Sequence, residues 1–212
     1  KKGFYKNEFI CNENVLSPRP DTEILVEKAL EFLPLDCAGK ILDLGTGSGC
    51  IIESILAERK KMQGVAVDIS AEALQTAAQN AVNLNLQNRL DFINAGWFDD
   101  DFLRHFSEPF QMVVSNPPYI PRSEIEQLEP EVKNYDPLLA LDGGNSGYDC
   151  YEQIAELAPF LLADNAYILL EAGQGQARRI ADIFKAKQLE LCGIVPDLAG
   201  IERCVILQKK VA

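Results

Sequence analysis

The sequence predicts an α/β protein built on a mostly parallel sheet of seven strands with helices on both faces. Hydrophobic periodicity switches repeatedly between that of a strand and that of a helix. Short β-branched runs such as KILDLG alternate with helical stretches such as GCIIESILAERK, which is typical of parallel strands joined by helical crossovers. The chain has 212 residues, 47% of them hydrophobic and 25% charged, as expected for one globular domain.

The individual elements follow in order along the chain. Residues 1–17 predict a β-hairpin, whose turn we place around Asn12, Glu13 and Asn14. SPRPDTEILVEKALEFL predicts a helix with Pro20 near its first turn. The parallel strands are then KILDLG, GVAVDI, RLDFINA, FQMVVSN and AYILLEAG, and the helices between and after them are GCIIESILAERK, SAEALQTAAQNAVNL, FDDDFLRHF, YDCYEQIAELAPFLL and QARRIADIFKAKQ. LELCGIVPD and RCVILQK end the sheet as antiparallel neighbours, because no helix separates them, and residues 116–147 predict a long functional loop.

Composition and charge count against several classes of function. The net charge is −12, whereas nucleic-acid-binding proteins usually carry a basic surface. No apolar run approaches the length of a membrane span, so no membrane partner is expected. The 6 cysteines form no C-x-x-C pair and there is 1 histidine, which disfavours a metal site. Scattered cysteines are typical of free thiols in a reducing compartment, so we expect a cytoplasmic protein.

A glycine-rich turn and an acidic residue follow the first two parallel strands. Gly45, Gly47 and Gly49 let the backbone turn sharply and approach a ligand closely, and the next helix offers free N–H groups. Asp68 ends the following strand, where a carboxylate can accept both hydroxyls of a ribose. Taken singly, the turn could be a plain strand-to-helix turn and Asp68 a helix cap. Together they indicate a cofactor that contains a nucleoside.

The spacing favours S-adenosylmethionine over a dinucleotide. Dinucleotide sites usually space their glycines as G-x-G-x-x-G, whereas this chain has G-x-G-x-G preceded by Asp43. A carboxylate at this position suits an amine better than a pyrophosphate, and S-adenosylmethionine carries an amine, a carboxylate and a ribose but no phosphate. After the third strand, Trp97 could either cover the adenine face or pack in the core.

A stiff polar corner follows the fourth strand, in the stretch VVSNPPYI. Asn116 and Pro117 both precede a proline and are therefore held extended. Because proline lacks an N–H, the corner presents mainly acceptors: the Asn116 side-chain oxygen and the Pro117 carbonyl. Tyr119 adds a flat face. The corner could be only a rigid turn, but beside the cofactor residues it indicates a site for a planar –NH2 group.

These motifs together resemble those of class I S-adenosylmethionine-dependent methyltransferases that act on a planar amino or amide nitrogen. That group includes adenine-N6 DNA and guanine-N2 RNA methyltransferases. Longer stretches resemble more narrowly the release factor glutamine methyltransferase family, namely ENVLSPRPDTEILVE, NPPYIP, YDPLLALDGGNSGYDCYEQI and ILLEAGQGQ. The resemblance extends over essentially the whole chain and implies the class I methyltransferase fold.

The resemblance implies methyl transfer from S-adenosylmethionine, with S-adenosylhomocysteine as product. The acceptor would be the N5 amide nitrogen of the glutamine in the Gly-Gly-Gln motif of bacterial class-1 peptide chain release factors. By residue matching, the implied donor-binding residues are Gly45, Thr46, Gly47, Ser48, Gly49, Asp68, Trp97 and Asn116. The implied substrate-binding residues are Asn116, Pro117, Pro118 and Tyr119, of which Asn116, Pro117 and Tyr119 would be catalytic. The chemistry needs neither a metal ion nor a His, Cys or Ser nucleophile.

The resemblance also implies a domain organisation. Members of the family carry an extra N-terminal helical domain joined through a hairpin. We therefore expect residues 1–17 to be that hairpin, leading from a missing helical domain, and residues 18–212 to be the catalytic domain.

Two other functions remain open from the sequence. A nucleic-acid amino methyltransferase, acting on adenine N6 or guanine N2, would share the four-residue corner, but the net charge of −12 and the lack of an evident target-recognition segment count against it. A non-catalytic binding module would keep the fold alone. The intact loop of residues 45–49, Asp68 and the corner argue against that reading.

Overall fold

The protein is described here by a computed structural model that covers residues 1–129 and 136–211. The strands are β1 (Lys2–Phe4), β2 (Asn7–Phe9), β3 (Gly39–Leu44), β4 (Met62–Asp68), β5 (Leu90–Asn94), β6 (Phe110–Ser115), β7 (Leu162–Glu171), β8 (Leu189–Pro196) and β9 (Glu202–Lys209). The helices are α1 (Glu23–Phe32), α2 (Cys50–Glu58), α3 (Ala71–Asn83), α4 (Arg122–Ile125), α5 (Leu138–Leu141), α6 (Asp149–Leu161) and α7 (Ala177–Lys185). Two short 3₁₀ helices, Pro20–Thr22 and Phe102–His105, complete the described elements.

The main sheet has 7 strands in the order β5-β4-β3-β6-β7-β9-β8. Strands β3 to β7 pair in parallel, whereas β9 pairs antiparallel with both β7 and β8. The predicted mostly parallel sheet and the antiparallel pair at its end are confirmed. The strand order reverses between β3 and β6, and ligands of open α/β sheets bind beyond the carboxyl ends of the strands at such a switch point.

Helices cover both faces of this sheet, as predicted. Helices α1 and α2 and the hairpin pack on one face around side chains such as Ile41 and Met112. Helices α6 and α7 pack on the other face around Leu42 and Val113. Successive residues of a strand point to opposite faces, so each central strand contributes to both cores. The carboxyl ends of β3, β4 and β6 are thereby held by a rigid scaffold.

The N-terminal hairpin is present, but its predicted turn is wrong. Strands β1 and β2 pair antiparallel, and the chain reverses at Tyr5, whose φ of 52° lies in the left-handed region. Phe4 and Phe9, one on each strand, are both buried, with ring centroids 6.1 Å apart. The segment Asn12–Val15 also turns, through a 3.0 Å hydrogen bond from Asn14 N to Asn12 Oδ1. It is not a hairpin turn, because the backbone of Ile10 pairs with a side chain of α3 instead of a second strand.

The predicted long loop of residues 116–147 contains more structure than expected. Helices α4 and α5 each form a single short turn inside it. Ile120 bridges to Asp142, so the two ends of the loop meet. The part of the prediction that falls on residues 130–135 lies outside the described residues. In the described part of the chain, no helix combines the length and the apolar character needed to span a membrane.

Candidate active site

A cavity of about 340 Å³ opens at the carboxyl edge of the sheet, at the switch point between β3 and β6. Its volume is within the range of about 300–1,000 Å³ that is usual for small-molecule sites. Most of the predicted site residues line it, namely Gly45, Thr46, Gly47, Ser48, Asp68, Trp97, Asn116 and Pro118. The structure therefore brings the residues after four different strands to one place.

The glycine loop after β3 adopts a backbone that ordinary residues avoid. Gly45, Gly47 and Gly49 have φ of 73°, 55° and 81°, in the left-handed region that glycine enters without strain. The N–H groups of Gly45 and Thr46 donate to the Val67 carbonyl at 2.9 and 3.0 Å, which ties the loop to β4. A Cβ added at Gly47 would meet none of the described residues within 4 Å, so the space beside this residue is open.

Asp43 lies behind the glycine loop. Its side chain is fully buried, and Oδ2 accepts a 2.7 Å hydrogen bond from the Thr46 hydroxyl. Burial raises the pKa of Asp43 to about 7, although the Thr46 hydroxyl acts in the opposite direction. Asp43 is not among the described residues that line the cavity. The expected direct contact with an amine is therefore not supported, and Asp43 acts on the shape of the loop.

Asp68 lines the cavity at the end of β4 and holds the glycine loop. Oδ2 accepts from the Gly47 N–H and Oδ1 from the Ser70 N–H, both at 2.9 Å. Ser70 is the N-cap of α3, as predicted, and its hydroxyl accepts from the Ala73 N–H. Burial raises the pKa of Asp68, and the hydrogen bonds from Ser70 and Gly47 lower it. Because a carboxylate can accept about four hydrogen bonds, Asp68 can accept more from a ligand.

Trp97 is both a cavity wall and a core residue. Its side chain is 9% exposed and belongs to the core under α6, yet it lines the cavity. The indole packs so close to Gly45 that a Cβ there would lie 3.3 Å from the ring. Within residues 1–129 and 136–211, the indole Nε1 has no hydrogen-bond partner. Phe98 and Ile69, which are 59% and 54% exposed, extend this apolar wall to the cavity mouth.

The corner after β6 contributes to the cavity in part. Asn116 and Pro118 line it, whereas Pro117 and Tyr119 are not among its described lining residues. Pro117 is buried, and Tyr119 is partly buried against the core. Burial raises the pKa of the Tyr119 phenol, and the nearby Glu171 charge adds to the effect. Asn116 Nδ2 donates to the Thr22 hydroxyl at 3.4 Å, a long hydrogen bond.

Two glycine-containing segments hold Tyr119, and sequence reasoning assigned them no role. A Cβ added at Gly143 would lie 2.7 Å from the backbone of Tyr119, and one at Gly173 would lie 2.9 Å from its ring. Gln176 Nε2 donates to the Tyr119 carbonyl at 3.0 Å. Gly143 lies in LDGGNSGYD, and Gly173 and Gln176 lie in ILLEAGQGQ. The only signal in the sequence was that these stretches carried the family resemblance.

The N-terminal segment forms another wall of the cavity. Val15, Leu16, Pro18 and Arg19 line it. Arg19 forms a 2.6 Å ion pair with Asp136, whose neighbour Pro137 lines the facing side. The segment between the hairpin and α1 is therefore part of the site, a role that sequence reasoning did not assign.

No cluster that could hold a metal ion is found among the described residues. His105 stacks edge-on against Phe102 and Phe106 and does not line the cavity. All 6 cysteines are free.

Comparison with known proteins gives consistent matches. A sequence model of the methyltransferase small domain matches residues 20–129. The release factor glutamine methyltransferase of Rhodospirillum rubrum is 43% identical over 211 residues, which cover 100% of this chain and 63% of that protein. The protein of the same name from Caulobacter vibrioides is 39% identical over 206 residues, which cover 97% of this chain and 70% of that protein. The chain belongs to the release factor glutamine methyltransferase family.

A solved structure supports the same assignment. The protein-(glutamine-N5) methyltransferase (release factor-specific) of Alicyclobacillus acidocaldarius is 30% identical and superposes with a TM-score of 0.56, over 92% of this chain and 94% of that one. The class I methyltransferase fold predicted from the sequence is thereby confirmed. The chain spans about two thirds of the length of the family members that it matches, 63% in one case and 70% in another.

Proposed function

We propose that this chain transfers a methyl group from S-adenosylmethionine to the N5 amide nitrogen of the glutamine in the Gly-Gly-Gln motif of bacterial class-1 peptide chain release factors. One observation carries the proposal: Asp68 and Asn116, from different strands, line the same cavity of about 340 Å³. A residue suited to bind the methyl donor and a corner suited to bind the methyl acceptor therefore face the same cavity. Since release factors act in translation, the proposal places the protein in the cytoplasm.

The donor half of the cavity fits S-adenosylmethionine. Asp68 offers carboxylate lone pairs suited to ribose hydroxyls, and the backbone at Gly47 is open to a close approach. Trp97, Phe98 and Ile69 provide an apolar wall suited to adenine. Thr46 and Ser48 in the loop of residues 45–49 would complete this half, and Asn116 would contact the donor from the other strand. The apolar wall and the Asp68 carboxylate suit a ligand that carries no phosphate.

The corner after β6 fits an amide nitrogen. Asn116 lines the cavity beside Pro118, and its side-chain oxygen and the Pro117 carbonyl would accept the two N–H groups of the glutamine amide. Tyr119 would pack against the amide plane from its position beside Gly173. Pro117 and Pro118 would keep the corner extended.

The residues would act mainly by positioning. S-adenosylmethionine supplies, when bound, a methyl group on a positively charged sulfur. The amide nitrogen is a weak nucleophile because its lone pair is delocalised, so alignment can contribute several kcal/mol. As the N–C bond forms and the S–C bond breaks, positive charge grows on nitrogen, and acceptors at Asn116 and Pro117 would stabilise it. One N–H proton is then lost to solvent.

The proposal is tested with labelled S-adenosylmethionine and a purified bacterial class-1 release factor. A release factor with Gln→Ala in its Gly-Gly-Gln loop is the control, and bulk tRNA, rRNA and DNA are tested in parallel. Label on the wild-type factor alone is the expected result. Label on nucleic acid would overturn the proposal in favour of an adenine or guanine methyltransferase. Failure to bind S-adenosylmethionine would indicate a non-catalytic module.

A further inference from the structure

A buried carboxyl group lies directly behind the asparagine of the corner. Ser115, the last residue of β6, pairs in parallel register with Leu170, the last but one of β7, so the residues that follow, Asn116 and Glu171, lie side by side. Glu171 is 3% exposed, and its Oε2 has no hydrogen-bond partner in the described part of the chain. Burying a carboxyl group without satisfying it is costly. Packing of the described residues does not by itself explain why a carboxyl group is buried at this position.

Thr22 connects Glu171 to Asn116. It precedes α1 and is 3% exposed. Its hydroxyl accepts from Asn116 Nδ2 at 3.4 Å. Burial raises the pKa of Glu171 to about 7, and the nearby Thr22 hydroxyl and Asn116 amide act in the opposite direction. The three side chains thus form one polar network that begins just before α1 and ends at the cavity.

This network determines which end of the Asn116 carboxamide faces the cavity. A carboxamide has two donors on nitrogen and an acceptor on oxygen. Among the described residues, the Asn116 side chain has one hydrogen bond, from Nδ2 to a lone pair of Thr22 Oγ1. The nearby Glu171 carboxyl group, when ionised, can only accept, so it also favours the nitrogen on this side. The oxygen then points the other way. Rotating the carboxamide by 180° would set its oxygen against two acceptors and leave its nitrogen to face the incoming N–H groups.

We propose that Thr22 and Glu171 are positioning residues that hold the Asn116 carboxamide with its oxygen toward the substrate nitrogen. This inference rests on the proposed function, because an acceptor is needed there only for a substrate that brings N–H donors. Arg203 and Asp21 lie near Glu171 with opposite charges, and burial followed by the Glu171 charge raises the pKa of both Tyr119 and Tyr151. The Tyr151 hydroxyl donates to the backbone carbonyl of Glu171 at 2.7 Å and so fixes its backbone.

The first test is the exchange of the Asn116 Nδ2 protons with water, followed by NMR on ¹⁵N-labelled protein. The Asn116 signal is assigned by its loss in Asn116→Ala. Slow exchange is expected in the wild type, about tenfold or more slower than for an exposed asparagine. Thr22→Val should accelerate it, and Thr22→Ser, which keeps the hydroxyl, should restore it. Exchange that is equally fast in wild type and Thr22→Val overturns the proposal without reference to catalysis.

The second test is kinetic and uses the release factor as substrate. Thr22→Val and Glu171→Gln should each lower kcat about tenfold while the KM for S-adenosylmethionine changes little, because the lost hydrogen bonds orient the acceptor only. Thr22→Ser should recover most of kcat. Thr76→Val is the matched control, since Thr76 is a buried threonine on α3 that is 5% exposed and makes its hydrogen bonds with Asn12 and Glu72.

The two tests separate the positioning role from the substrate assignment. If the wild type methylates the release factor and Thr22→Val matches it in both exchange and kcat, the positioning role is wrong and the proposed function stands. If the exchange pattern is as expected but no release factor is labelled, the network is supported and the substrate is wrong. If Thr22→Val lowers kcat and Thr22→Ser does not restore it, the proposed role of the hydroxyl is wrong.

Discussion

The backbone N–H of Gly47 donates a 2.9 Å hydrogen bond to Oδ2 of Asp68. The glycine loop after β3 and the acidic residue at the end of β4 are therefore one physical unit. The other carboxylate oxygen accepts from Ser70, which begins α3. A change at Asp68 should accordingly alter the loop, the helix start and the cavity together.

Asp68→Ala should weaken binding of S-adenosylhomocysteine at least about tenfold, because two charge-assisted hydrogen bonds to a ribose would be lost. It should also lower the unfolding temperature of the ligand-free protein, since two backbone N–H groups lose their acceptor. Calorimetry and thermal unfolding measure the two effects. Asp91→Ala, at an exposed position in β5, is the control. An unchanged ligand affinity in Asp68→Ala would refute the assignment of the ribose site.

Asn116→Ala should lower kcat much more than it lowers the affinity for the methyl donor. Removing one hydrogen-bond donor from an oxyanion hole typically lowers kcat by about 10²–10³. We expect a similar loss here, where the group removed is a hydrogen-bond acceptor that faces a developing positive charge. The affinity for S-adenosylhomocysteine should fall much less, because the Asp68 side of the cavity is intact. Steady-state kinetics and calorimetry make the comparison, with the exposed Asn88→Ala as control. Wild-type turnover in Asn116→Ala would show that the acceptor role is wrong.

The sequence was sufficient for the features that depend on local pattern. The changes in hydrophobic periodicity predicted the order of strands and helices. The spacing of Gly45, Gly47 and Gly49 predicted the tight loop that the structure shows. Asp68 and Asn116 could be placed near each other because the carboxyl ends of parallel strands meet at one edge of a sheet.

Features that depend on long-range contacts could not be predicted in the same way. Thr22 and Glu171 stand far apart in the chain and meet only because α1 packs against the end of β7. Asn80 bonds the Ser48 carbonyl at 2.9 Å and the backbone of Ile10, joining the glycine loop to the N-terminal segment across α3. No local pattern in the sequence signals such contacts. The hairpin turn was misplaced for a different reason: the chain reverses at Tyr5, a residue type that rarely takes the positive φ found there.

Gly143→Ala should disturb the corner through Tyr119. The added Cβ would lie 2.7 Å from the Cα and carbonyl carbon of Tyr119, so the backbone must shift. Overpacking of this kind costs about 1–3 kcal/mol of stability, and displacement of the corner should lower kcat more than donor affinity. Urea unfolding and kinetics measure the two effects.

Gly193→Ala is the matched control for this change. Gly193 lies in β8, and a Cβ there would meet none of the described residues within 4 Å. Gly193→Ala should leave kcat unchanged. Equal kcat in the two glycine variants would show that the close approach of Gly143 to Tyr119 does not position the corner.

Glu53 is a buried acid that we expect to destabilise the fold at neutral pH. It is fully buried in α2, and neither carboxyl oxygen has a hydrogen-bond partner among residues 1–129 and 136–211. Burial raises the pKa of Glu53 from 4.5 to about 10, and the Asp43 charge adds to the rise. In the folded protein the group is therefore protonated at pH 7, whereas in the unfolded chain it is ionised. Stability should fall as the pH rises from 4.5 toward 10.

Replacing this acid should stabilise the protein by an amount that depends on pH. Glu53→Leu removes the ionisable group, and at pH 7 the gain should be on the order of 3 kcal/mol. The gain should grow between pH 5 and pH 9, because only the wild type loses stability with rising pH. Urea unfolding at several pH values measures it, with Glu27→Gln on the exposed side of α1 as control. A gain that is the same at pH 5 and pH 9 would mean that Glu53 ionises normally in the folded protein, through water or a rearrangement that reaches its carboxyl group.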